Sequence, residues 1–112
     1  MGKAIKAGDE ELKRATHMKV CSELTDTYIK KNHDYGDAFA VTYDKLGIIS
    51  AVTRITDKTN RLVSLCTKEQ RVADETLEDT LLDLANYAIM TVMEMRKGQK
   101  GALNGEKDGS EE

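Results

Sequence analysis

The sequence predicts an all-α protein: a small bundle of three long helices and one short helix that oligomerisation completes. Apolar residues recur at intervals of three and four over stretches of about twenty residues, a period typical of amphipathic helices. The 112 residues include no proline, so no predicted helix is interrupted. Glycine and aspartate separate the periodic stretches, as expected for turns between helices.

The first long helix is predicted from the acidic residues 9–11 to about Asn32. Acidic side chains suit the positive end of the helix dipole, and residues 1–8, which are small and basic, read as a flexible arm. The helix breaks before a second helical segment. Gly36 offers a left-handed C-terminal stop, and Asp37 is a candidate N-cap for the helix that follows.

A short helix or turn is predicted over residues 38–45, ending at Gly47, and a second long helix over residues 48–67. The β-branched residues 48–53 are also compatible with a strand. The helical period, however, persists for about twenty residues, which is longer than strands usually last. The sequence therefore favours a helix here.

The third long helix is predicted from Asp74 to Arg96, with Asp74 as the N-cap and Glu75 in the first turn. Residues 98–112 contain glycines and charged residues and almost nothing to bury, which predicts a disordered tail. A single helical domain is therefore expected over residues 9–97.

Composition limits the possible partners and locations. A net charge of -3 and a pI near 5.4 argue against direct DNA binding, which usually needs a basic surplus. No apolar run approaches the ~20 residues of a membrane span. Cys21 and Cys66 show no metal-type pairing and predict reduced thiols packed in a core. These features indicate a cytoplasmic protein that does not contact a membrane.

The third helix is apolar around much of its circumference. One layer formed by the first two helices cannot cover all of that surface, so another subunit is expected to meet the remainder. A homodimer is the simplest closed arrangement.

An acidic stripe runs along the predicted third helix. Glu75, Asp79, Asp83 and Asn86 fall within a roughly 80° arc beside the apolar residues. Carboxylates gathered in a partly dry site are costly unless cations or hydrogen-bond donors meet them. The three carboxylates are therefore candidate ligands of Mg²⁺, which prefers oxygen ligands, and candidate catalytic residues.

A basic row on the second long helix is the other candidate partner of this stripe. Arg54, Lys58 and Arg61 occupy successive turns at the edge of the apolar arc. A structural network of salt bridges is one interpretation. The other is a ligand that is both anionic and metal-binding, which describes a nucleoside di- or triphosphate. Asn86 then contacts a base or sugar edge, or alternatively forms a hydrogen bond between helices.

The sequence leaves one class of enzymatic mechanism open. No Cys/His constellation supports nucleophilic catalysis, and neither a zinc spacing nor a Gly-rich phosphate loop is present. If the protein is an enzyme, hydrolysis by metal-activated water is the mechanism that remains.

Three motifs carry a resemblance to a known family. They are Lys-Asn-His-Asp-Tyr-Gly at 31–36, Arg-Ile-Thr-Asp-Lys at 54–58, and Asp-Thr-Leu-Leu-Asp-Leu-Ala-Asn-Tyr-Ala at 79–88. Over roughly residues 28–92 the chain resembles the nucleotide-modification-associated domain of the first type, found in phage and bacterial proteins. The resemblance implies a nucleotide or nucleotide-derived ligand, and the host cytoplasm as location if the protein is phage-encoded. Within the motifs it adds these candidate ligand-binding residues: Lys31, Asp34, Tyr35, Asp57 and Tyr87.

More remotely, the third helix is similar to an acidic motif of the all-α nucleoside triphosphate pyrophosphohydrolases of the MazG and dimeric dUTPase kind. In those enzymes a Glu and an Asp bind Mg²⁺, and an Asn two turns later helps to hold the nucleotide. Asp79 and Asn86 have that separation here. The preceding acid, Glu75, lies four residues before Asp79, whereas the family pattern uses three and meets Thr76.

The same enzymes carry another acidic pair on the first helix. The nearest match, Glu23 with Asp26, falls on the polar arc of the predicted helix. Asp34 or Asp57 are possible substitutes. This departure bears on catalysis more than on nucleotide binding.

Three functions are therefore compared. The leading hypothesis is a Mg²⁺-dependent nucleotide-binding protein of nucleotide metabolism or modification, which, if it is an enzyme, hydrolyses a nucleoside triphosphate to monophosphate and pyrophosphate. The second is a non-catalytic binder, such as a phage sponge for a nucleotide immune signal or an accessory to base modification. The third is a structural helical oligomer.

Overall fold

A computed structural model describes residues 7–35, 37–67 and 76–108, and within these residues the protein forms four helices and no strand. The helices are α1 (Ala7–Tyr35), α2 (Ala38–Leu46), α3 (Ile48–Thr67) and α4 (Leu77–Asp108). The predicted all-α fold with three long helices and one short helix is confirmed.

The chain divides into two compact units, and the first contains α1. Asp9 and Glu10 lie in the first turn of α1, as predicted from the helix dipole. The helix continues to Tyr35, beyond the end predicted near Asn32. Cys21 is exposed, and so is Cys66 in the other unit, so the predicted packing of both thiols in a core is wrong.

The second unit contains α2, α3 and α4, with α3 packed along α4 and α2 in contact with both. Gly47 forms the junction between α2 and α3 with φ 79° and ψ -168°, a conformation that is essentially restricted to glycine. Its N–H donates to the Tyr43 carbonyl (2.7 Å), and its carbonyl accepts from the Ser50 N–H and hydroxyl (3.1 and 2.8 Å). The predicted end of the short helix is confirmed.

Asp37 precedes α2 as its N-cap residue, as the sequence predicts. Its backbone is left-handed, with φ 61°, and its side chain makes no capping hydrogen bond. Aspartate is among the few non-glycine residues that tolerate this conformation. Gly36, the predicted C-terminal stop, lies outside the described residues.

Helix α4 begins with a reciprocal pair of hydrogen bonds between Thr76 and Asp79. The Asp79 N–H donates to the Thr76 hydroxyl (3.0 Å), and the Thr76 N–H donates to the Asp79 carboxylate (3.3 Å), which forms a capping box. The predicted N-cap and first-turn residues, Asp74 and Glu75, lie outside the described residues.

At its other end α4 reaches Asp108, whereas the sequence placed the end of the helix at Arg96. This stretch contains no proline that would stop the helix. Disorder of the tail over residues 98–112 stays a prediction.

The most buried side of α4 carries several polar residues. The residues of this side recur at intervals of three and four, and they include Thr80, Asp83, Leu84, Tyr87, Thr91 and Glu94. Thr80 is fully buried and Thr91 is 8% exposed. Several other large apolar side chains of α4 are exposed, among them Leu81, Ile89, Val92, Met93 and Met95. Within this unit, α4 therefore buries polar groups beside Leu84 and leaves several large apolar side chains exposed.

No helix in the described part of the chain combines the length and the apolar character that crossing a membrane requires.

Candidate functional site

An ion pair joins the basic row of α3 to the acidic stripe of α4. Lys58 Nζ lies 3.1 Å from Asp83 Oδ2, and the two side chains are only 24% and 25% exposed. Partial burial weakens solvent screening, so this pair interacts more strongly than an ion pair on the open surface. The structure thus brings together one member of each predicted set.

An aromatic contact lies next to this ion pair along the two helices. The guanidinium carbon of Arg54 lies 5.9 Å from the centre of the Tyr87 ring, within the range of a cation–π interaction. Arg54 precedes Lys58 by one turn of α3, and Tyr87 follows Asp83 by one turn of α4. We call the four residues Arg54, Lys58, Asp83 and Tyr87 the α3/α4 site.

Phe39 of α2 completes the aromatic contact. Its ring stacks on Tyr87 with a centroid distance of 5.9 Å and an angle of 23° between the planes. The ring is partly buried. Sequence reasoning did not select Phe39, because a nine-residue helix with two aromatic residues, Phe39 and Tyr43, is too short to establish a pattern. The available signal was that Phe39 is the only phenylalanine of the chain.

Asp79 is exposed rather than partly buried, and its carboxylate takes part in the capping box with Thr76. The missed signal was Thr76 itself, three residues before an acidic residue at the start of a helix. Asp79 lies one turn before Asp83 on α4.

The remaining predicted residues of α3 and α4 are Arg61, Asn86 and Asp57. Arg61 follows Lys58 by one turn and is exposed, and Asn86 is partly buried. Both make contacts within the protein. Asp57 is exposed on α3. Their roles in binding a ligand stay predictions.

Lys31, Asp34 and Tyr35 belong to the last turns of α1, in the first compact unit. Lys31 is exposed, and the Asp34 carboxylate lies 3.4 Å from Nδ1 of the exposed residue His33. The sequence placed Asp34 and Tyr35 in a loop, whereas both are helical. Their participation in a ligand site stays a prediction.

Residues that could hold a metal ion are only partly described. Among the side chains of residues 7–34, 37–67 and 76–99, no group of three His, Cys, Asp or Glu residues is placed to hold a metal. Glu75, the third member of the predicted set, lies outside the described residues. The described carboxylates, Asp79 and Asp83, therefore account for two of the three predicted ligands.

A second ion pair lies further along α4. Lys97 Nζ is 3.0 Å from Glu94 Oε1. The hydrogen bond and the charge of Glu94 raise the pKa of Lys97 above its usual value, and Asp44 and Asp37 of the α2 region add smaller effects. Glu94 and Asp83 are eleven residues apart, or about 16 Å along the helix, so this pair is distinct from the α3/α4 site.

The fold and the site together define a class: a small all-α protein with a charged site, flanked by an aromatic pair, between two long helices. A family model described as nucleotide modification associated domain 1 matches residues 31–95, which is more than half of the chain. The protein belongs to this family. The matched segment includes all of α2 and α3 and every residue of the α3/α4 site. Neither the curated proteins nor the solved structures that were compared include a significant match.

Proposed function

We propose that the protein binds a nucleoside di- or triphosphate, or a ligand derived from one, at the α3/α4 site. The observation that carries this proposal is the partly buried ion pair between Lys58 and Asp83. This pair places Lys58, whose charge suits a phosphate group, beside Asp83, whose carboxylate oxygens suit a metal ion, on facing helices. The membership of a nucleotide-modification-associated family agrees with a nucleotide ligand.

The phosphate groups are assigned to the basic row of α3. Arg54 and Arg61 are seven positions apart, or about 10 Å along the helix, with Lys58 between them, so the three charges act on one extended anion. Arginine presents a planar fork of donors that matches phosphate oxygens, and lysine supplies a compact charge. The Tyr87 ring, which the Arg54 guanidinium contacts, and Asn86 are assigned to the base or sugar.

We propose Mg²⁺ as the accompanying cation, with Asp83 and Asp79 as its protein ligands. Mg²⁺ usually takes one or two carboxylates and completes its octahedral shell with water and substrate phosphates. A preformed cage of many protein ligands is therefore not required. When bound, the ion neutralises the charge of the phosphates.

Binding without turnover is the second candidate function, and one observation favours it. Each described carboxylate of the acidic stripe is already engaged within the protein, Asp79 by Thr76 and Asp83 by Lys58. Hydrolysis to monophosphate and pyrophosphate is supported by the spacing of Asp79 and Asn86 alone.

The deciding experiment measures binding and product together. The purified protein is incubated with a panel of nucleoside mono-, di- and triphosphates and cyclic nucleotides, with and without Mg²⁺. A ligand at a hundredfold excess over its dissociation constant should stabilise the fold by about 2.7 kcal/mol. Pyrophosphate release identifies a hydrolase, and a melting shift without product identifies a binder. If no nucleotide produces either signal, the proposal is wrong and a structural oligomer remains.

The role of Asp79 is tested by two variants that damage the same capping box. Thr76→Ala and Asp79→Ala each remove one partner of the reciprocal hydrogen bonds, so each should lower stability by about 1 kcal/mol. Only Asp79→Ala removes a carboxylate. We therefore expect only this variant to reduce the Mg²⁺-dependent part of the nucleotide melting shift. Equal ligand responses in the two variants would mean that Asp79 serves the helix end alone.

Oligomerisation is tested on the outer side of α4. Ala88, Ile89, Val92, Met93 and Arg96 line an open, mainly apolar groove there. If a second copy covers it, Val92→Glu should convert a dimer into a monomer, because burying an unpaired charge is costly. Size-exclusion chromatography with light scattering measures the mass. Gln99→Glu adds the same charge at an exposed position of α4 and should leave the dimer intact; a monomeric parent protein would contradict the prediction.

A further inference from the structure

We propose that Phe39 of α2 is a positioning residue for the α3/α4 site: it holds the Tyr87 ring against which the Arg54 guanidinium lies. The proposal rests on the proposed function, because it concerns how the same site keeps one phosphate-binding cation in place. It assigns to the short helix α2 a part in ligand recognition that the charged residues of α3 and α4 do not reveal.

Two contacts that share one ring carry the proposal. Phe39 and Arg54 each lie 5.9 Å from the centre of the Tyr87 ring, the first by stacking and the second by a cation–π contact. An arginine side chain has many rotamers, and holding it for a ligand requires a fixed surface. A tyrosine ring supplies such a surface only when its own rotamer is set, and the Phe39 ring sets it.

The chain fixes Phe39 at both ends of its helix. Asp37 begins α2 from a left-handed conformation, and its carbonyl accepts the Val41 N–H at 3.2 Å. At the other end, the Gly47 carbonyl accepts two hydrogen bonds from Ser50 of α3. The nine residues of α2 are therefore tied to α3 by a short junction, which makes α2 a stable support for the aromatic pair.

The binding test is a double-mutant cycle on triphosphate affinity. Phe39→Leu keeps an apolar side chain but removes the stacked ring, and it should weaken binding about three- to tenfold. In an Arg54→Gln background the same substitution should have no further effect, because the cation that the ring positions is gone. Phe39→Tyr keeps the ring and should bind as the parent does. Val41→Ala, at an exposed position of α2, should also leave affinity unchanged.

A second readout needs no ligand. In the NMR spectrum of the ligand-free protein, the Arg54 Nε–H signal is expected to be displaced by the Tyr87 ring. Phe39→Leu should move this signal toward the position of a free arginine, and Phe39→Tyr should not. A simple loss of stability would not produce that pattern, because all variants are compared below their melting temperatures.

The outcomes separate this role from the proposed function. If the parent binds no nucleotide, both are overturned. If the parent binds but Phe39→Leu and Arg54→Gln act additively, or if Phe39→Leu leaves the Arg54 signal in place, only the positioning role is overturned. The positioning role is supported if the effects of Phe39→Leu and Arg54→Gln on affinity are non-additive and if Phe39→Leu also moves the Arg54 Nε–H signal.

Discussion

Lys58→Met is expected to lower the affinity for a nucleoside triphosphate by about ten- to a hundredfold, the largest effect on binding of any single change. A hydrogen bond to a charged group contributes about 1.5–3 kcal/mol, and tenfold in affinity corresponds to about 1.4 kcal/mol. Methionine keeps most of the apolar stem, so packing along α4 should survive. Isothermal titration with the triphosphate in the presence of Mg²⁺ measures the change.

The matched control for this variant is Lys97→Met. It removes a different ion pair of α4, between Lys97 and Glu94, and lies outside the α3/α4 site. We expect this control to keep the affinity of the parent. Asp83→Asn should in turn lose the Mg²⁺-dependent part of binding while the helix content stays the same. Parental affinity in Lys58→Met, together with a lower melting temperature, would mean that the ion pair serves folding alone.

Ala51→Leu is expected to have the largest effect on stability. Ala51 of α3 has no exposed surface, so three additional carbon atoms must displace neighbouring atoms. Overpacking of this kind costs typically about 1–3 kcal/mol, and each kcal/mol lowers the melting temperature of a domain this size by about 4–8 °C. Thermal unfolding followed by circular dichroism measures the loss.

The neighbouring residue supplies the control for Ala51. Val52 is 43% exposed, so Val52→Leu should leave the melting temperature within the scatter of the measurement. Because α3 carries both Ala51 and Lys58, Ala51→Leu should also weaken nucleotide binding. An Ala51→Leu variant with the melting temperature of the parent would mean that α3 does not pack closely against its neighbouring helices at this point.

Two helices, α2 and α3, could be predicted closely from the sequence because local chemistry determines their ends. Helix α3 has the predicted bounds, and α2 ends at the predicted glycine. Gly47 occupies a conformation that other residues avoid, so a glycine after a helical segment is a strong signal. The start of α4 was harder, because both Asp74 and Thr76 are good capping residues and the sequence alone did not favour the second.

The candidate site was predicted in part, because the face of α4 that meets α3 depends on packing. The predicted stripe centred on Asp79 and Asn86, whereas the most buried side of α4 is centred on Thr80 and Tyr87, roughly 80° away around the helix. Asp83 belongs to both. A helical-wheel projection assumes that the most apolar arc of a helix faces inward. Helix α4 departs from this assumption, because Thr80 and Thr91 are buried.

The ion pair between Lys58 and Asp83 also bears on how fast a ligand arrives. Opposite charges 3.1 Å apart act at a distance as a dipole, whose field decays faster than that of a single charge. With a net charge of -3, the chain exerts little long-range attraction on a polyphosphate. We therefore expect nucleotides to associate by diffusion without electrostatic steering. Selectivity among nucleotides should then arise from differences in their dissociation rates.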